Sequence, residues 1–229
     1  MLLYPSDWML EPELVKAIKA DKPMVKTCIM EGVPNDLTPD KLRVLDHVNH
    51  VGHDIYTMPL FSKEFVMMIT DEIKNIQAEG LFEVNPDEAE EVQIKEFVLK
   101  YRCPGWYLSM MQLFMSHINV VLGSLYGRIM YDGVIQLANY NPRGVVQTSW
   151  HHDGDSDFTI VVPLNTGDYK GGGTDFFNRV TVPALPNGNA LIFPAQGMLH
   201  RGMPVESGDR YLLVFWMRRR PLNPGVNPE

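Results

Sequence analysis

The stretch Trp150-His151-His152-Asp153-Gly154-Asp155-Ser156-Asp157 decides how this chain is read. Side chains on a strand alternate between its two faces. His151 and Asp153 therefore share a face, and His152 points away. One face then offers an imidazole and a carboxylate to a common ligand. Taken alone, the triplet also fits a polar turn with two surface histidines. A calcium loop is a third reading, because Asp153, Asp155 and Asp157 alternate. An EF-hand loop needs glycine at its sixth position and glutamate at its twelfth. Phe158 and Leu164 stand there instead, so that reading fails.

On both sides of this stretch the chain is rich in short β-type runs, at 134–140, 145–151, 157–164, 174–178, 189–193, 198–203 and 210–217. Turn signals separate them: Asn141-Pro142-Arg143-Gly144, Gly171-Gly172-Gly173, Pro186-Asn187-Gly188 and Ser207-Gly208-Asp209. Many short strands with regular turns predict a sandwich or barrel. The triple glycine reads as a tight turn and not a phosphate loop, since no Gly-Lys-Ser/Thr follows it. Further upstream the pattern is helical. Residues 11–20 are weakly amphipathic. Thr38-Pro39 reads as an N-cap and first-turn proline for a helix to about His47. Residues 54–61 look extended. Ser62 caps a helix in which Phe65, Met68, Ile69, Ile73 and Ile76 recur at three- and four-residue steps, and Gly80 ends it. An acidic loop over 81–91 and a strand over 94–101 follow. Pro104 then opens a long helix, about 105–125, apolar on most sides and expected to be buried. The expected fold is α+β and mainly β: a double-stranded β-helix (jelly roll) with flanking N-terminal helices. Residues 1–53 form a helical extension. Residues 54–229 form the main domain, with helices within 62–125 and the jelly-roll core at 133–218.

Two residues downstream complete the pattern begun at His151. His200 follows the apolar run Ala190-Leu191-Ile192-Phe193-Pro194, and Arg210 opens the apolar strand Arg210-Tyr-Leu-Leu-Val-Phe-Trp-Met. Two imidazoles and one carboxylate occupy one face of an octahedral Fe(II) and leave three positions open, the facial triad of non-heme iron oxygenases. An arginine is costly to bury without an anionic partner. The far carboxylate of a 2-oxo acid would satisfy it in a bidentate pair. The plainer alternatives are a packed histidine and an exposed strand end with an internal salt bridge. His47, His50 and His53 are spaced by three, but no third ligand completes a zinc set there. The methionines Met67, Met68, Met110, Met111 and Met115 are read as core filling.

Composition narrows the classes of function. The 229 residues are 45% hydrophobic, enough for a sizeable core, and the net charge of -8 argues against a nucleic-acid binder. Arg218-Arg219-Arg220 is read as a solvated exit from the last strand. Cys28 and Cys103 cannot make a cysteine-rich zinc site, and both a disulfide and two free thiols fit them. No signal peptide is visible, and no run reaches the ~18 apolar residues of a membrane helix. A complete chain of this kind is expected in the cytoplasm, without a membrane partner. A homodimer is left open.

The C-terminal half resembles the prolyl 4-hydroxylase-like catalytic domain of Fe(II)/2-oxoglutarate dioxygenases. The matching stretches are Ile135-Gln-Leu-Ala-Asn-Tyr140, His151-His-Asp153, Gly171-Gly-Gly-Thr-Asp-Phe176, Leu199-His-Arg-Gly-Met-Pro204 and Gly208-Asp-Arg-Tyr211. Within that superfamily, His151-His-Asp153, Asp157-Phe-Thr159, Leu164-Asn165 and the segment 54–62 look most like the collagen lysyl hydroxylase domain. The likeness spans roughly 54–218. It implies that His151, Asp153 and His200 hold Fe(II), and that Arg210 pairs with the 5-carboxylate of 2-oxoglutarate. It places Thr159 near that carboxylate and Tyr140 near the metal end of the co-substrate. The implied cofactors are Fe(II), 2-oxoglutarate and O2, with ascorbate as an optional reductant. The implied reaction is hydroxylation of a peptidyl lysine or proline, coupled to conversion of 2-oxoglutarate to succinate and CO2. Pro163 departs from the tyrosine that some prolyl hydroxylases carry there. Asp155 and Asp157 are more acidic than lysyl hydroxylases at this point and suggest a mouth suited to a cationic side chain. Val161, Ile192, Phe193 and Trp216 are the expected pocket walls. Two other classes stay open: a small-molecule or nucleobase oxygenase, and a non-enzymatic cupin-like domain.

Overall fold

The computed structural model describes residues 6–31, 42–86 and 93–219, and the side chains of all of these except 27–31. The strands, in chain order, are β1 (Asn49–Gly52), β2 (Ile55–Pro59), β3 (Glu83–Val84), β4 (Lys95–Val98), β5 (Asp132–Tyr140), β6 (Phe158–Pro163) and β7 (Lys170–Gly171). They continue with β8 (Thr174–Phe176), β9 (Thr181–Val182), β10 (Asn189–Pro194), β11 (His200–Gly202), β12 (Val205–Ser207) and β13 (Arg210–Arg218). Eight of them form one antiparallel sheet in the order β1-β2-β10-β6-β13-β5-β4-β3. Two small sheets, β11-β8-β9 and β12-β7, complete the jelly roll.

Register assigns the faces of the large sheet. Phe193, Thr159 and Trp216 lie in one row across β10, β6 and β13, and Leu191, Val161 and Val214 in the next. The alternate residues Ile192, Ile160 and Phe215 point the other way, into a core they share with the helices. That core takes Leu14 and Ile18 from α1 (Pro12–Glu31), Phe65, Ile69 and Ile73 from α2 (Lys63–Ala78), and Phe114 and Ile118 from the long helix Pro104–Tyr126. Ile192 is therefore no pocket wall, whereas Val161, Phe193 and Trp216 are on the site side.

Ser62 caps α2 by accepting a hydrogen bond from the Phe65 N–H at 3.1 Å, as its position predicts. The N-terminal helix is longer than the weak pattern over 11–20 suggests, and it packs on the common core. Met9, Leu10, Leu14 and Ile18 are buried in the common core, and Leu10 bridges to Phe61. Thr38-Pro39 lies outside the described residues; the following segment is a 3-10 helix, Arg43–His47.

Several expectations change. Residues 94–101 divide into β4 and the short helix Leu99–Arg102. Residues 145–151 are not a strand. Their one ladder contact is the bridge from His151 to His200, and nearby Thr148 turns its hydroxyl to accept from the Gly202 N–H at 2.8 Å. The helix Pro104–Tyr126 contains a π-type segment, Phe114–Ile118, and leaves Leu108 and Met115 exposed. It is long and apolar enough to cross a membrane by length and composition alone, but more than half of its apolar stretch is buried inside the fold, as the sequence reading of a buried helix expects. Of the methionines, Met110 is buried and Met68 and Met111 pack on the core, while Met67 and Met115 are exposed. His47, His50 and His53 fall on a 3-10 helix, a strand and a turn, so they share no face.

Candidate metal centre

The backbone brings the two distant histidines together. His151 and His200 exchange both main-chain hydrogen bonds at 2.9 Å, which sets their rings side by side with centroids 4.4 Å apart. His151 Nδ1 meets the Ser149 carbonyl at 2.8 Å, and His200 Nδ1 meets the Met198 carbonyl at 2.9 Å. A carbonyl can only accept, so each Nδ1 carries a proton and Nε2 is the ring nitrogen left to offer a ligand atom. This is how ligating histidines are oriented. Asp153 arrives from a tight turn in which the Ser156 N–H donates to the Asp153 carbonyl at 3.1 Å. Its Oδ1 lies 3.6 Å from His151 Nε2, and its Oδ2 lies 3.6 Å from His200 Nε2. The three ligand atoms lie within 4.8 Å of one another, and this is the cluster of metal-binding type among the described residues. Burial, opposed by the Asp153 carboxylate, holds His200 below the ordinary imidazole range. A neutral His200 is the ligating form. His152 is exposed and, like His151 and Asp153, borders the adjoining cavity.

Arg210 is 3% exposed. Its Nη2 donates to the Gly173 carbonyl at 3.2 Å, and its guanidinium lies 5.3 Å from the centre of the Tyr140 ring. Nε and Nη1 have no hydrogen-bond partner, and no carboxylate pairs with this side chain among the described residues. The exposed strand end with an internal salt bridge is therefore excluded. The triple glycine explains the close wall: Gly172, at φ +75, would set a Cβ 3.2 Å from Arg210 Nε. A buried guanidinium with two unpaired nitrogens fits an anionic ligand.

A cavity of about 820 Å³ opens beside the cluster, lined by Tyr140, Thr148, His151, Asp153, Gln136 and Trp216. Thr148 and Gln136 were not singled out from the sequence. Gln136 is 1% exposed and its Nε2 lacks a partner among the described residues; in the sequence it is a polar residue set between Ile135 and Leu137, which is the available signal. Asn139 and Trp106 also carry an unpaired nitrogen, but neither lines this cavity.

Three assignments need correction or refinement. Thr159 is opposite Trp216 in the β6–β13 register, six residues from Arg210 and so about 20 Å along the strand. Its hydroxyl donates to Asp153 Oδ2 at 2.5 Å, so it stands beside Asp153 and away from Arg210. Asp157 is engaged by Arg219, whose Nη2 donates at 2.7 Å and whose backbone N–H donates at 2.8 Å. That pairing takes Asp157 out of the cavity wall and ties down the exit from β13, while Arg218 pairs with Asp132 at 3.7 Å. Asp155 is exposed and does line the cavity. Cys103 makes no disulfide among the described residues.

No protein-family model and no curated protein matches the chain. Solved structures do. A Pseudomonas putida prolyl-4-hydroxylase is 22% identical with a TM-score of 0.53, over 74% of this chain and 94% of that one. A Trichoplax adhaerens prolyl hydroxylase, solved with a hypoxia-inducible-factor peptide fragment, is 14% identical with a TM-score of 0.57, over 82% and 90%. The alpha-ketoglutarate-dependent carbocyclase SnoK of nogalamycin biosynthesis is 14% identical with a TM-score of 0.56, over 85% and 93%. The jelly roll of this chain is thus the fold of prolyl 4-hydroxylases and other 2-oxoglutarate/Fe(II) oxygenases.

Proposed function

We propose that this protein is an Fe(II)- and 2-oxoglutarate-dependent oxygenase that hydroxylates a peptidyl side chain. The observation that carries the reading is Arg210, a buried guanidinium with unpaired nitrogens in the same jelly roll as a two-histidine, one-carboxylate cluster. His151 and His200 would hold the iron through Nε2, and Asp153 through its carboxylate. Arg210 would take the 5-carboxylate of 2-oxoglutarate in charge-assisted hydrogen bonds, with the Tyr140 ring packed against its face. When bound, the iron supplies O2 activation, coupling conversion of 2-oxoglutarate to succinate and CO2 with hydroxylation of a C–H bond. The chain supplies orientation and a wall of Val161, Phe193 and Trp216 that keeps water from the reacting groups.

The peptide substrate is the finer part of this reading. It is supported by the resemblance to collagen hydroxylases, by the size of the cavity, and by fold neighbours that are prolyl hydroxylases, one of them solved with a peptide. Lysine as the target rests on Asp155 at the cavity mouth and on the resemblance, since Asp157 is committed to Arg219. The test is succinate formation from 2-oxoglutarate with Fe(II), with and without collagen-like peptides bearing lysine or proline. Stimulation by a peptide supports the reading. Turnover that no peptide changes favours a small-molecule oxygenase, for which the likeness to SnoK is the specific support. A complete lack of turnover leaves a binding domain.

A further inference from the structure

Thr159 has no place at the co-substrate's far carboxylate, yet it is 1% exposed and its hydroxyl is directed at Asp153. We propose that Thr159 is the positioning residue that keeps Asp153 a one-oxygen metal ligand, an inference that rests on the metal-site reading above. The backbone of Asp153 is fixed by Ser156, whose N–H donates to its carbonyl at 3.1 Å. Rotation of the carboxylate is a separate freedom, and the Thr159 hydroxyl restrains it by donating to Oδ2 at 2.5 Å. Neither histidine nitrogen performs this task, since each is 3.6 Å from the nearer carboxylate oxygen. Thr159 is itself held by the ladder on both sides, opposite Phe193 of β10 and Trp216 of β13. It is β-branched and stiff at χ1, so the direction of its hydroxyl is set by the sheet.

The consequence is a coordination number. A carboxylate can bind a metal through one oxygen or two. The hydroxyl takes up one lone-pair site of Oδ2 and restrains its rotation, which weakens Oδ2 as a donor and would favour Oδ1 at the metal. Two imidazoles and one oxygen then take three of six octahedral positions and leave three. A chelating 2-oxo acid needs two of these and O2 needs the third. A carboxylate free to turn and bind through both oxygens would take a fourth position and leave two. Thr159 would thus protect the vacancy that the reaction requires, acting through Asp153.

The experiment is an anaerobic titration with Co(II) alone, which reports affinity and coordination through its visible d–d bands. It compares the wild type with Thr159→Val, Thr159→Ser and Asp153→Ala, each checked by circular dichroism and its thermal transition. Removing a hydrogen-bond partner of a metal ligand costs roughly 10–100-fold in affinity. Thr159→Val keeps shape and branching, and is expected to lose that much with a changed d–d spectrum. Thr159→Ser keeps the hydroxyl and is expected to restore affinity and spectrum. If the valine variant does not fold, Thr159→Ala against Thr159→Ser gives the same contrast. A valine or alanine variant that binds Co(II) with wild-type affinity and spectrum overturns the proposal, as does a folded serine variant that matches valine. If Asp153→Ala binds as the wild type does, the metal-site reading itself fails, and this inference falls with it.

Discussion

The two faces of the large sheet are built from the same strands and behave in opposite ways. On the helix side, Ile135, Leu137, Ile160, Ile192, Leu213 and Phe215 are fully buried in one apolar core. On the other side, the alternate residues of β5, β6 and β13 include Gln136, Tyr140, Thr159, Arg210 and Trp216. Here buried donors go unpaired, at Gln136 Nε2 and at Arg210 Nε and Nη1. An unsatisfied buried polar group costs about 1–3 kcal/mol, more when charged. The helix side is mostly apolar and stabilises the fold by burial, with Asn139 Nδ2 and Trp106 Nε1 its unpaired donors among the described residues, whereas the site side leaves a buried guanidinium that an anionic ligand would satisfy. Strand periodicity of two lets one chain serve both needs, because a scaffold residue and a site residue can be neighbours in sequence.

The largest expected effects separate the two faces. Asp153→Ala and His200→Ala should abolish iron binding and turnover in a protein that still folds, measured by anaerobic Fe(II) titration beside circular dichroism. Phe215→Ala should do the reverse. It should lower stability by about 3–5 kcal/mol in denaturant unfolding, while the fraction still folded binds iron normally. Loss of iron binding in folded Phe215→Ala would blur the distinction.

Arg210 sharpens it. Charge-assisted hydrogen bonds contribute on the order of 1.5–3 kcal/mol, so Arg210→Ala should raise the 2-oxoglutarate requirement at least about tenfold and leave the iron requirement little changed. Arg210→Lys should be intermediate, because a point charge replaces a planar fork. Without co-substrate, Arg210→Met should be no less stable than the wild type, since it removes an unpaired buried charge. Equal co-substrate requirements in all three proteins would count against the anchor.

A third expectation concerns acid. Burial holds His200 below its ordinary value of 6.5, so between the lowered value and 6.5 the unfolded chain binds more protons there than the folded one. Stability should therefore fall as pH drops through that window. Thermal melts of the metal-free protein from pH 7 down to pH 5 should decline, and His200→Gln should flatten the decline. An unchanged slope in the variant would assign the pH response elsewhere.

The smallest effects distinguish two acids two residues apart. Asp157→Asn breaks a partly exposed ion pair with Arg219 and should cost under about 1 kcal/mol of stability with no change in peptide preference. Asp155→Asn should leave stability alone and reduce turnover of a lysine peptide relative to a matched proline peptide, by an amount that shrinks as salt rises. Equal effects on both peptides would remove the electrostatic argument for lysine.

Much of this was legible in the sequence where a local rule fixes the outcome. Ser62, the apolar stripe of α2, the turns and most strands follow from capping, periodicity and glycine. The order His151, Asp153, His200 predicted the convergence of three ligand atoms that the fold produces, and the apolar strand that Arg210 opens predicted its burial. What escaped prediction depends on register between distant strands. Thr159 is six rows from Arg210 only because β6 and β13 pair as they do. Ile192 turns to the helices, and Asp157 meets Arg219, for the same reason. Residues 145–151 look like a strand by their valines, but the hydrogen bond from Gly202 to Thr148 is a tertiary contact with no local sign.

The central claim is that the cluster and Arg210 form one site for iron and a 2-oxo dicarboxylate. Anaerobic calorimetry of 2-oxoglutarate against the protein, with and without Fe(II), tests it most directly. The account predicts tight binding that requires Fe(II), is lost in Asp153→Ala and weakens at least about tenfold in Arg210→Ala. Binding of equal strength with and without the metal, or none in either state, would contradict it.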